Sequence, residues 1–474
     1  MRVLFVEPPK KQWFLMGEYL PPPYGILALA AYLEKHRDSD DIAVLDCQAE
    51  DIDWKGLEKR IESFRPDVLA SSALATCNAF TVMRTVEVAK EVNPNITTVT
   101  GGQHFTATAQ ESLESSSNLD VIVRGEGEQT LVELIRALDT KQSFSKVRGL
   151  SFRRDGKIIH TEDRPLIDDL DTLPYPGYHF VRENMKKYHF TMMGGQNTPY
   201  ALVEGSRGCD HHCSFCTQWR YWRGCCRPKS PKRIADEFEY CHNEFGSKFL
   251  WLTDDNFGLG QRASKLADEI IDRRLGTELM WFMQARSDDI IKHQDVLPKL
   301  RASGNMWILV GLESHSPETL SEFNKGIDPL MAKQAMNLLK KNDIFAQATI
   351  IIGNRKDSRE SLNELRKWID KVNPDIAIFM ILTPLPGAEL YQVASRNGWI
   401  EDDNWGVYDM VHATMPTETL SRPEVQEELY KCYRAFYGSW KRRITGLFSS
   451  NALKRRTYRY LMRQGVLKAL RGFF

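Results

Sequence analysis

The stretch YALVEGSRGCDHHCSFC, residues 200–216, joins a strand-like apolar run to a loop that holds three cysteines and two histidines. The apolar run is short and gives way to a glycine at Gly205, as buried β-strands commonly do. Cys209, Cys213 and Cys216 follow, with three and then two residues between them. Such clustering indicates metal or catalytic use at the carboxyl end of this strand.

The strand opens a series of six apolar runs separated by amphipathic helical patterns. Strands that alternate with helices predict a parallel sheet, and six βα units suit a partial barrel with its active site at the carboxyl ends of the strands. We place this barrel at 199–390 and a helical C-terminal region with a basic tail at 391–474. The runs are YALVEG (200–205), FLWLTDD (249–255), MWFMQAR (280–286), WILVGLE (307–313), AQATIIIG (346–353) and IAIFMILTP (376–384).

A similar alternation fills residues 1–140, with apolar runs at 2–6, 42–46, 67–73, 96–102 and 120–128. It predicts a doubly wound α/β domain, whose ligands lie beyond the carboxyl ends of the strands. Those ends are small, polar or glycine-rich, and four such loops on one edge favour a large flat ligand. They read EPPKK (7–11), SSALATC (71–77), GGQHF (101–105) and RGEGE (124–128). Residues 141–198 read as a linker, with a hairpin turning at Asp155-Gly156 and prolines beyond it.

Composition narrows the class of protein. The 474 residues are 42% hydrophobic and 27% charged, which is typical of a globular protein, and no run is long enough to span a bilayer. We expect a cytoplasmic location. The net charge is zero, but residues 441–474 hold ten Lys or Arg and no acid. Because the remaining 440 residues lean acidic, no nucleic-acid role is expected. The tail could lie on a membrane surface, bind an acidic partner or pack on the barrel.

The three cysteines could bind zinc or an iron–sulfur cluster. Structural zinc usually takes four protein ligands, which would require His211, His212, Cys225 or Cys226 to contribute one. Three thiolates on a short loop suit a cluster better, and a cubane held by three ligands leaves one iron open to a small molecule.

The motif CxxxCxxC with Phe215 before its last cysteine, directly after the first barrel strand, resembles the signature of the radical S-adenosylmethionine (SAM) superfamily. The order of a flavodoxin-like domain, a linker, a TIM-type partial barrel and a helical tail is similar to its cobalamin-binding branch. Further shared strings are GGQH (101–104), LTDDNF (252–257), QARSD (284–288), GLES (311–314) and TPLPGAELY (383–391). Two features depart from the pattern: the first domain lacks DxHxxG, and GNRKD (353–357) lacks the usual proline after its glycine.

The resemblance assigns roles to residues. Cys209, Cys213 and Cys216 would hold a [4Fe-4S] cluster, and the two histidines would be loop residues. Cobalamin would bind without a histidine ligand. SAM contacts are expected at Phe215, Asp254, Gln284, Arg286, Glu313 and Gly353, and cobalamin contacts at Pro9, Ser72, Leu74, Thr76, Gly101, Gly102, Gln103, His104, Gly125, Glu126 and Gly127. Arg286 and Glu313 could instead form a salt bridge in the barrel mouth, and Asp254 could cap a helix.

The resemblance also implies an activity. A 5′-deoxyadenosyl radical would take hydrogen from an unactivated carbon, and methylcobalamin would methylate that carbon. The substrate could be a protein or peptide, such as a glutamine of methyl-coenzyme M reductase. Oxidative cyclisation or rearrangement of a tetrapyrrole or other metabolite is the alternative reaction, and a non-catalytic cobalamin- or metal-binding protein is a third reading. A flavodoxin or ferredoxin would supply electrons.

Overall fold

The computed structural model describes residues 1–10, 19–191 and 198–464, and it builds them on two large sheets of seven and six strands. Five expected strands of the first domain and six of the barrel are present. The strands of the first sheet are β1 (Arg2–Glu7), β2 (Asp41–Asp46), β3 (Val68–Ser72), β4 (Thr97–Gly101), β5 (Val121–Val123), β6 (Leu150–Arg154) and β7 (Lys157–His160). Those of the second are β8 (Tyr200–Val203), β9 (Phe249–Leu252), β10 (Met280–Ala285), β11 (Asn305–Glu313), β12 (Phe345–Ile352) and β13 (Ile376–Ile381).

The first sheet has the order β2-β1-β3-β4-β5-β6-β7. Its first five strands are parallel, and their order is that of flavodoxin-like domains. The chain changes direction along the sheet between β1 and β3, and ligands of such domains bind beyond the carboxyl ends at this point. The predicted doubly wound fold is confirmed.

The hairpin predicted at Asp155-Gly156 forms, but it belongs to the first sheet. β6 pairs antiparallel with β5, and β7 pairs with β6 across the two-residue turn. The pairing covers a sheet edge that would otherwise expose unpaired backbone groups. The sheet therefore continues to His160, inside the range 141–198 that the sequence suggested as a linker.

The second sheet is parallel throughout, in the order β8-β9-β10-β11-β12-β13. In the described residues it does not close between β8 and β13, as expected of a partial barrel. Two tyrosines of the helix Arg422–Gly438 cover the β13 edge. The Tyr433 hydroxyl accepts from Phe379 N and donates to Phe379 O, and Tyr437 pairs with both backbone groups of Ala377 in the same way.

Local signals set the helix boundaries. The amphipathic pattern between the first two barrel strands forms the helix Pro231–Phe245; the Ser230 side chain caps its N-terminus, and Gly246 ends it with a positive φ. The helices whose residues are described run Tyr24–His36, Trp54–Phe64, Ala79–Val92, Gly102–Ala107, Ala109–Ser115, Glu128–Asp139, Gln218–Tyr221, Pro231–Phe245, Gly260–Asp272, Ser287–Lys292, Leu297–Ala302, Pro317–Glu322, Pro329–Lys341, Arg359–Val372, Glu389–Arg396, Arg422–Gly438, Trp440–Leu447 and Ala452–Gln464.

The C-terminal region packs on the barrel at the end opposite the cysteines. Asp375 precedes β13, and it pairs with Lys454 at 2.7 Å while its carbonyl accepts from Tyr458 at 2.9 Å. Asn451 likewise bonds to Asp343, just before β12. Residues 441–464 thus pack on the barrel, one of the three roles considered for the tail; its remaining apolar residues Val466, Leu467, Leu470, Phe473 and Phe474 lie outside the described residues. Across the part of the chain that the structure describes, no helix is both long and apolar enough to cross a membrane.

Candidate active site between the two domains

The cysteine loop follows β8 and is held by the loop that follows the helix Pro317–Glu322. Ser214 N donates to Phe323 O at 3.0 Å, and Asn324 Nδ2 donates to His212 O at 2.9 Å. From the other side, Trp219 Nε1 donates to Cys213 O at 3.0 Å. Bonds on both flanks fix the path of the loop before any ligand binds.

A glycine sets how the loop leaves the barrel. Gly208 has a φ of +93°, and a Cβ there would stand 1.9 Å from Cys225 O. Any side chain would collide with fixed backbone, so the loop can turn here only with glycine. The residue before Cys209 is therefore a steric requirement of the site.

The thiols of Cys209, Cys213 and Cys216 form an electrostatic group. Burial raises the pKa of Cys209 to about 11 and that of Cys216 to about 12, and charge on the other two cysteines adds to the effect at Cys216. Burial also raises the pKa of Cys213, which the Lys325 ammonium opposes. The backbone N–H of Gln218 donates to Cys216 Sγ at 3.4 Å. Three thiols near a backbone N–H donor and the positive charge of Lys325 fit a cluster, which binds them as thiolates and displaces their protons.

The two histidines of the loop have other contacts. The His212 ring packs edge-on against Trp219 at 4.9 Å, and His211 Nε2 lies 3.6 Å from Asp210. Among the described residues, no three His, Cys, Asp or Glu side chains form a group that could hold a single metal ion. Because the same finding holds for the three cysteines, the role of both histidines as loop residues stays a prediction.

A buried ion pair lies beside the cysteines in the barrel mouth. Lys325 Nζ donates to Glu313 Oε1 at 2.8 Å, and Glu313 Oε2 is buried without a partner. A Cβ on Gly311 would stand 2.4 Å from Glu313 Oε1, so this glycine makes room for the pair. An unpartnered buried carboxylate oxygen fits a ligand hydroxyl, as expected for SAM at Glu313.

Arg286 pairs with Asp288 and not with Glu313, the partner that the sequence analysis considered. Its Nε and Nη2 donate to the two oxygens of Asp288 at 3.0 and 3.1 Å, and Nη2 also donates to Lys325 O at 2.8 Å. The mouth therefore contains salt bridges, but Arg286 and Glu313 do not pair with each other. Asp288 and Lys325 O engage Nε and Nη2, so a carboxylate ligand would approach the guanidinium at Nη1.

Both carboxylate oxygens of Asp254 accept hydrogen bonds from the protein. Its Oδ2 accepts from Gly205 N at 2.8 Å, and its Oδ1 accepts from the Ser206 hydroxyl and lies 3.5 Å from Arg262. The next helix begins at Gly260 after Leu259, so Asp254 does not cap it. The carboxylate instead fixes the turn that leads from β8 to the cysteines.

The remaining predicted SAM residues line the same mouth or support it. The Gln284 side chain is half-buried near the end of β10. Phe215 packs against Phe323 with ring centres 5.1 Å apart. Gly353 has a φ of +83°, and its amide donates to Asp357 Oδ2 at 2.8 Å, so the loop closes through an aspartate where the expected proline is missing.

The interior of the barrel has an aromatic floor and an unpaired amide. Phe282 stacks on Trp307 at 4.0 Å and lies 4.8 Å from Trp251. Gln347, on β12, is fully buried, and neither its Oε1 nor its Nε2 has a partner. On the neighbouring strand β13, Phe379 faces outward and packs on Tyr433. Because side chains alternate along a strand, Ile376, which pairs with Gln347, faces the barrel interior. The indole N–H groups of Trp251 and Trp307 are also buried without a partner, so this interior combines aromatic faces with several unpaired hydrogen-bonding groups.

The carboxyl edge of the first sheet is shaped by close backbone contacts. Gly102 has a φ of +88°, and a Cβ there would stand 2.6 Å from Ala73 O. At Gly101 and Gly127 a Cβ would stand 3.0 Å from Val123 O and 2.9 Å from a Leu29 methyl. Gly125 also has a positive φ, of +70°, but space around it. Glycine is therefore required at Gly101, Gly102 and Gly127 by contacts inside the protein, and Gly125 is the position of this edge with open space beside it.

The other predicted cobalamin residues differ in exposure along this edge. Leu74 is 71% exposed, an apolar side chain turned toward solvent, whereas Thr76 beneath it is buried. Pro9 and Ser72 are half-buried at the ends of the neighbouring strands β1 and β3. A protruding apolar side chain above a glycine-lined edge suits the face of a large ring.

His104 is buried away from this edge. Its ring meets Trp405 edge-on at 4.4 Å, its Nδ1 has no partner, and burial lowers its pKa to about 4. The imidazole is 1% exposed. Cobalamin binding without a histidine ligand stays a prediction, as does the role of His104 as a cobalamin contact.

Hydrogen bonds join this edge to the cysteine loop. Gln103 Nε2 donates to Gln218 Oε1 at 2.6 Å, and Thr217 Oγ1 donates to Gln103 Oε1 at 3.2 Å. Tyr221 OH donates to Gly125 O at 2.8 Å. Thr217 and Gln218 directly follow Cys216. The predicted ligand edges of the two domains therefore adjoin.

A buried ion network reinforces the junction. Arg207 donates to Glu126 at 2.7 Å and to Glu128 at 2.6 Å, and Arg227 donates to both oxygens of Glu126 at 3.0 Å. Glu126 was expected at the cobalamin, but its carboxylate binds the barrel side. Sequence reasoning missed Arg207, Lys325 and Gln218; the signal available was the position of Arg207 and Gln218 within two residues of a cysteine.

Comparison with known proteins agrees with both halves of the site. The B12 binding domain model matches residues 17–135, and the Radical SAM superfamily model matches residues 203–369. An uncharacterized methyltransferase of Pyrococcus horikoshii is 30% identical over 473 residues, 98% of each chain. The anaerobic magnesium-protoporphyrin IX monomethyl ester cyclase of Rubrivivax gelatinosus is 31% identical over 444 residues, 92% of this chain and 77% of that one.

A solved structure has the same architecture. The radical S-adenosylmethionine methyltransferase TsrM from Kitasatospora setae, with cobalamin and a [4Fe-4S] cluster bound, superposes with a TM-score of 0.72 at 16% identity, covering 100% of this chain and 99% of that one. The glycine-lined edge and the three-thiol loop are the places predicted for cobalamin and the cluster in this chain. The chain belongs to the cobalamin-binding branch of the radical SAM superfamily, whose cofactors are cobalamin, a [4Fe-4S] cluster and SAM.

Proposed function

We propose that this protein is a cobalamin-dependent radical SAM C-methyltransferase. The observation that carries the proposal is the contact between Gln103 and Gln218, 2.6 Å from Nε2 to Oε1. It joins the glycine-lined edge to the residues next to Cys216. A methyl group carried at that edge and a radical formed at the cysteine loop would then reach one substrate carbon, and such proximity is what the reaction requires.

The cofactors supply the radical and the methyl group, and the protein supplies binding and orientation. Cys209, Cys213 and Cys216 hold the cluster. The unpartnered Oε2 of Glu313 is available to SAM hydroxyls, with Lys325 fixing the other oxygen at 2.8 Å. Arg286 would meet the SAM carboxylate through Nη1, because Asp288 and Lys325 O bind only its Nε and Nη2 and a guanidinium has five N–H donors.

The interior of the barrel supports an apolar substrate group with a hydrogen-bonding function. The aromatic floor at Trp251, Phe282 and Trp307 excludes water, and the unpaired Gln347 amide would bind the polar function. A side chain of a protein, such as a glutamine of methyl-coenzyme M reductase, is one candidate. The basic tail, which could have bound an acidic protein, packs at the end of the barrel opposite the cysteines. It therefore gives the protein-substrate candidate no support.

A second candidate reaction is oxidative cyclisation or rearrangement without methyl transfer. The 31% identity to a magnesium-protoporphyrin monomethyl ester cyclase favours it, and a flat tetrapyrrole would suit the aromatic floor. A non-catalytic cobalamin- or metal-binding role is less well supported. The cysteine loop has all three cysteines predicted to bind the cluster, and the barrel mouth contains Arg286 and Glu313, which were predicted to bind SAM. A reduced flavodoxin or ferredoxin is the proposed electron donor.

Feeding SAM labelled in its methyl group separates these reactions. The reconstituted, reduced protein is given labelled SAM and candidate substrates, and products are followed by mass spectrometry. A labelled product together with 5′-deoxyadenosine supports methyl transfer. Conversion of a substrate with 5′-deoxyadenosine but no label indicates cyclisation or rearrangement, and a protein that cleaves no SAM at all returns the non-catalytic reading.

A further inference from the structure

The helix Trp440–Leu447 has its polar and apolar faces reversed relative to an ordinary surface helix. Its inward residues are Arg442 and Gly446, both buried. Its outward residues are Trp440, Ile444 and the following Phe448, which are 70%, 54% and 82% exposed. A surface helix of a globular protein buries its apolar stripe, so an exposed stripe at a spacing of four residues needs another explanation.

The inward face explains why the helix is held this way. Arg442 donates to Asn373 Oδ1, Pro374 O and Asp370 Oδ1 at 2.9 to 3.0 Å, and its guanidinium lies 3.8 Å from the Phe436 ring centre. Gly446 contacts Tyr458 so closely that a Cβ would stand 2.2 Å from that ring. These contacts fix the rotation of the helix, so the apolar stripe is turned outward by structure.

The surroundings of the stripe carry positive charge. Residues 441–464 contain eight Lys or Arg and no Asp or Glu. Lys441, Arg456, Arg459 and Arg463 are exposed, and the Arg443 guanidinium lies 5.4 Å from the Trp440 ring centre. Apolar and aromatic side chains with a basic border are the features of helices that lie in a membrane interface.

We propose that the surface formed by Trp440, Ile444 and Phe448 with its basic border docks the protein on an anionic phospholipid membrane. Apolar side chains enter the interface, and Lys and Arg side chains meet lipid phosphates. A second copy of the chain fits less well, because a symmetric contact would bring two positive surfaces together.

The position of this docking surface leaves the active site open. Asp370 and Asn373, which bind Arg442, lie at the end of the helix Arg359–Val372 that precedes β13. The cysteine loop follows the carboxyl end of β8, at the other end of the barrel. A docked protein would therefore keep its barrel mouth away from the bilayer, and the proposal does not depend on which reaction occurs there.

Vesicle binding by the full-length protein tests the proposal. Sedimentation with vesicles of phosphatidylcholine and phosphatidylglycerol is compared with sedimentation with phosphatidylcholine alone. We expect clear binding to the anionic vesicles, little to the neutral ones, and a decrease at high salt. The triple variant Trp440→Ser/Ile444→Ser/Phe448→Ser should bind anionic vesicles at least about tenfold more weakly than the parent protein. Lys441→Glu should bind them about fivefold more weakly.

The matched control removes exposed apolar side chains elsewhere. Leu330 and Ile271 are 83% and 37% exposed on other helices, and Leu330→Ser/Ile271→Ser should bind as the parent protein does. Far-ultraviolet circular dichroism checks that the variants fold. Absence of anionic-vesicle binding by the parent, or equal binding by the triple variant, overturns the proposal. Concentration-dependent self-association that the triple variant abolishes, without vesicle binding, assigns the surface to a second copy instead.

Discussion

The glycine-lined edge of the first sheet and the mouth of the barrel prepare for their ligands in different ways. At the edge, a Cβ on Gly101, Gly102 or Gly127 would stand 2.6 to 3.0 Å from backbone oxygens or, at Gly127, from a Leu29 methyl. In the mouth, Arg286, Glu313 and Lys325 already pair with protein groups. The edge is shaped by steric contacts, whereas the mouth is shaped by ion pairs that leave Glu313 Oε2 for SAM. The first region binds through shape and the second through charge.

Loss of a cluster ligand should have the largest effect, and it should affect one region only. Cys213→Ala removes a thiolate and is expected to reduce SAM cleavage to background, while cobalamin binding at the first domain is retained. Liquid chromatography measures 5′-deoxyadenosine, and absorbance measures bound cobalamin. Cys226→Ala, an exposed cysteine outside the motif, is the control. Cleavage by Cys213→Ala at the parent rate would contradict the assignment.

Breaking the Lys325–Glu313 ion pair should lower the free energy of unfolding more than a substitution on the glycine-lined edge does. Lys325→Met leaves the buried Glu313 carboxylate without its 2.8 Å partner, for which the expected loss of stability is about 3 to 5 kcal/mol. Urea denaturation measures it. Lys356→Met, whose exposed side chain pairs with Glu322, should leave the free energy of unfolding nearly unchanged. Equal losses in the two variants would show that the mouth pair is not special.

A methyl group on the edge tests its steric account. Gly102→Ala places a Cβ 2.6 Å from Ala73 O at a φ of +88°, so we expect a loss of about 2 to 3 kcal/mol and weaker cobalamin retention. Gly25→Ala is the control: it lies in the helix Tyr24–His36 with nothing within 4 Å, and alanine there should stabilise by about 0.5 to 1 kcal/mol. Retention of cobalamin by Gly102→Ala at parent levels would refute a close approach of the ligand.

His104 should make the edge sensitive to acid. Burial lowers its pKa from 6.5 to about 4, so the folded state resists protonation more than the unfolded state does. Its contribution to stability is present above pH 6.5 and is lost as the pH falls toward 4, by about 2 kcal/mol at pH 5. His104→Leu should flatten this dependence in urea denaturation at pH 7 and pH 5, and the exposed His36→Leu should not. An unchanged slope in His104→Leu would place the acid sensitivity elsewhere.

A substitution in the barrel interior should change the free energy of unfolding least. Gln347→Leu replaces a fully buried amide whose two polar atoms lack partners, so it should be neutral or stabilising by up to about 1 kcal/mol. SAM cleavage should persist while conversion of substrate falls. Thr349→Val, two residues along the same strand, serves as the control. A destabilised Gln347→Leu protein would mean that the amide supports the fold and is not kept for a ligand.

Much of this architecture could be predicted from the sequence. Periodicity predicts the strands and the helix Pro231–Phe245, because apolar spacing, Ser230 and Gly246 are local signals. The spacing of Cys209, Cys213 and Cys216 identifies the cluster loop. The pairing of β6 with β5 was not predicted, because an edge strand has no sequence signal for its partner.

The polar partners of the site were not predictable. The contacts of Arg286 with Asp288, of Glu313 with Lys325 and of Glu126 with the barrel arise from packing between segments far apart in the chain. Likewise, the tail composition could not show that Arg442 faces inward and Trp440 outward. Composition indicates which charges are available, but only the fold decides which of them meet.

The central claim, that one protein uses SAM both as methyl donor and as radical source at a shared site, has a direct test that needs no substrate. The reduced protein, reconstituted with cobalamin and the cluster, is incubated with SAM, and S-adenosylhomocysteine and 5′-deoxyadenosine are quantified together. We predict both products, with S-adenosylhomocysteine limited to about one equivalent of the bound cobalamin. Formation of 5′-deoxyadenosine without any S-adenosylhomocysteine would contradict methyl transfer and favour the cyclase-type reaction.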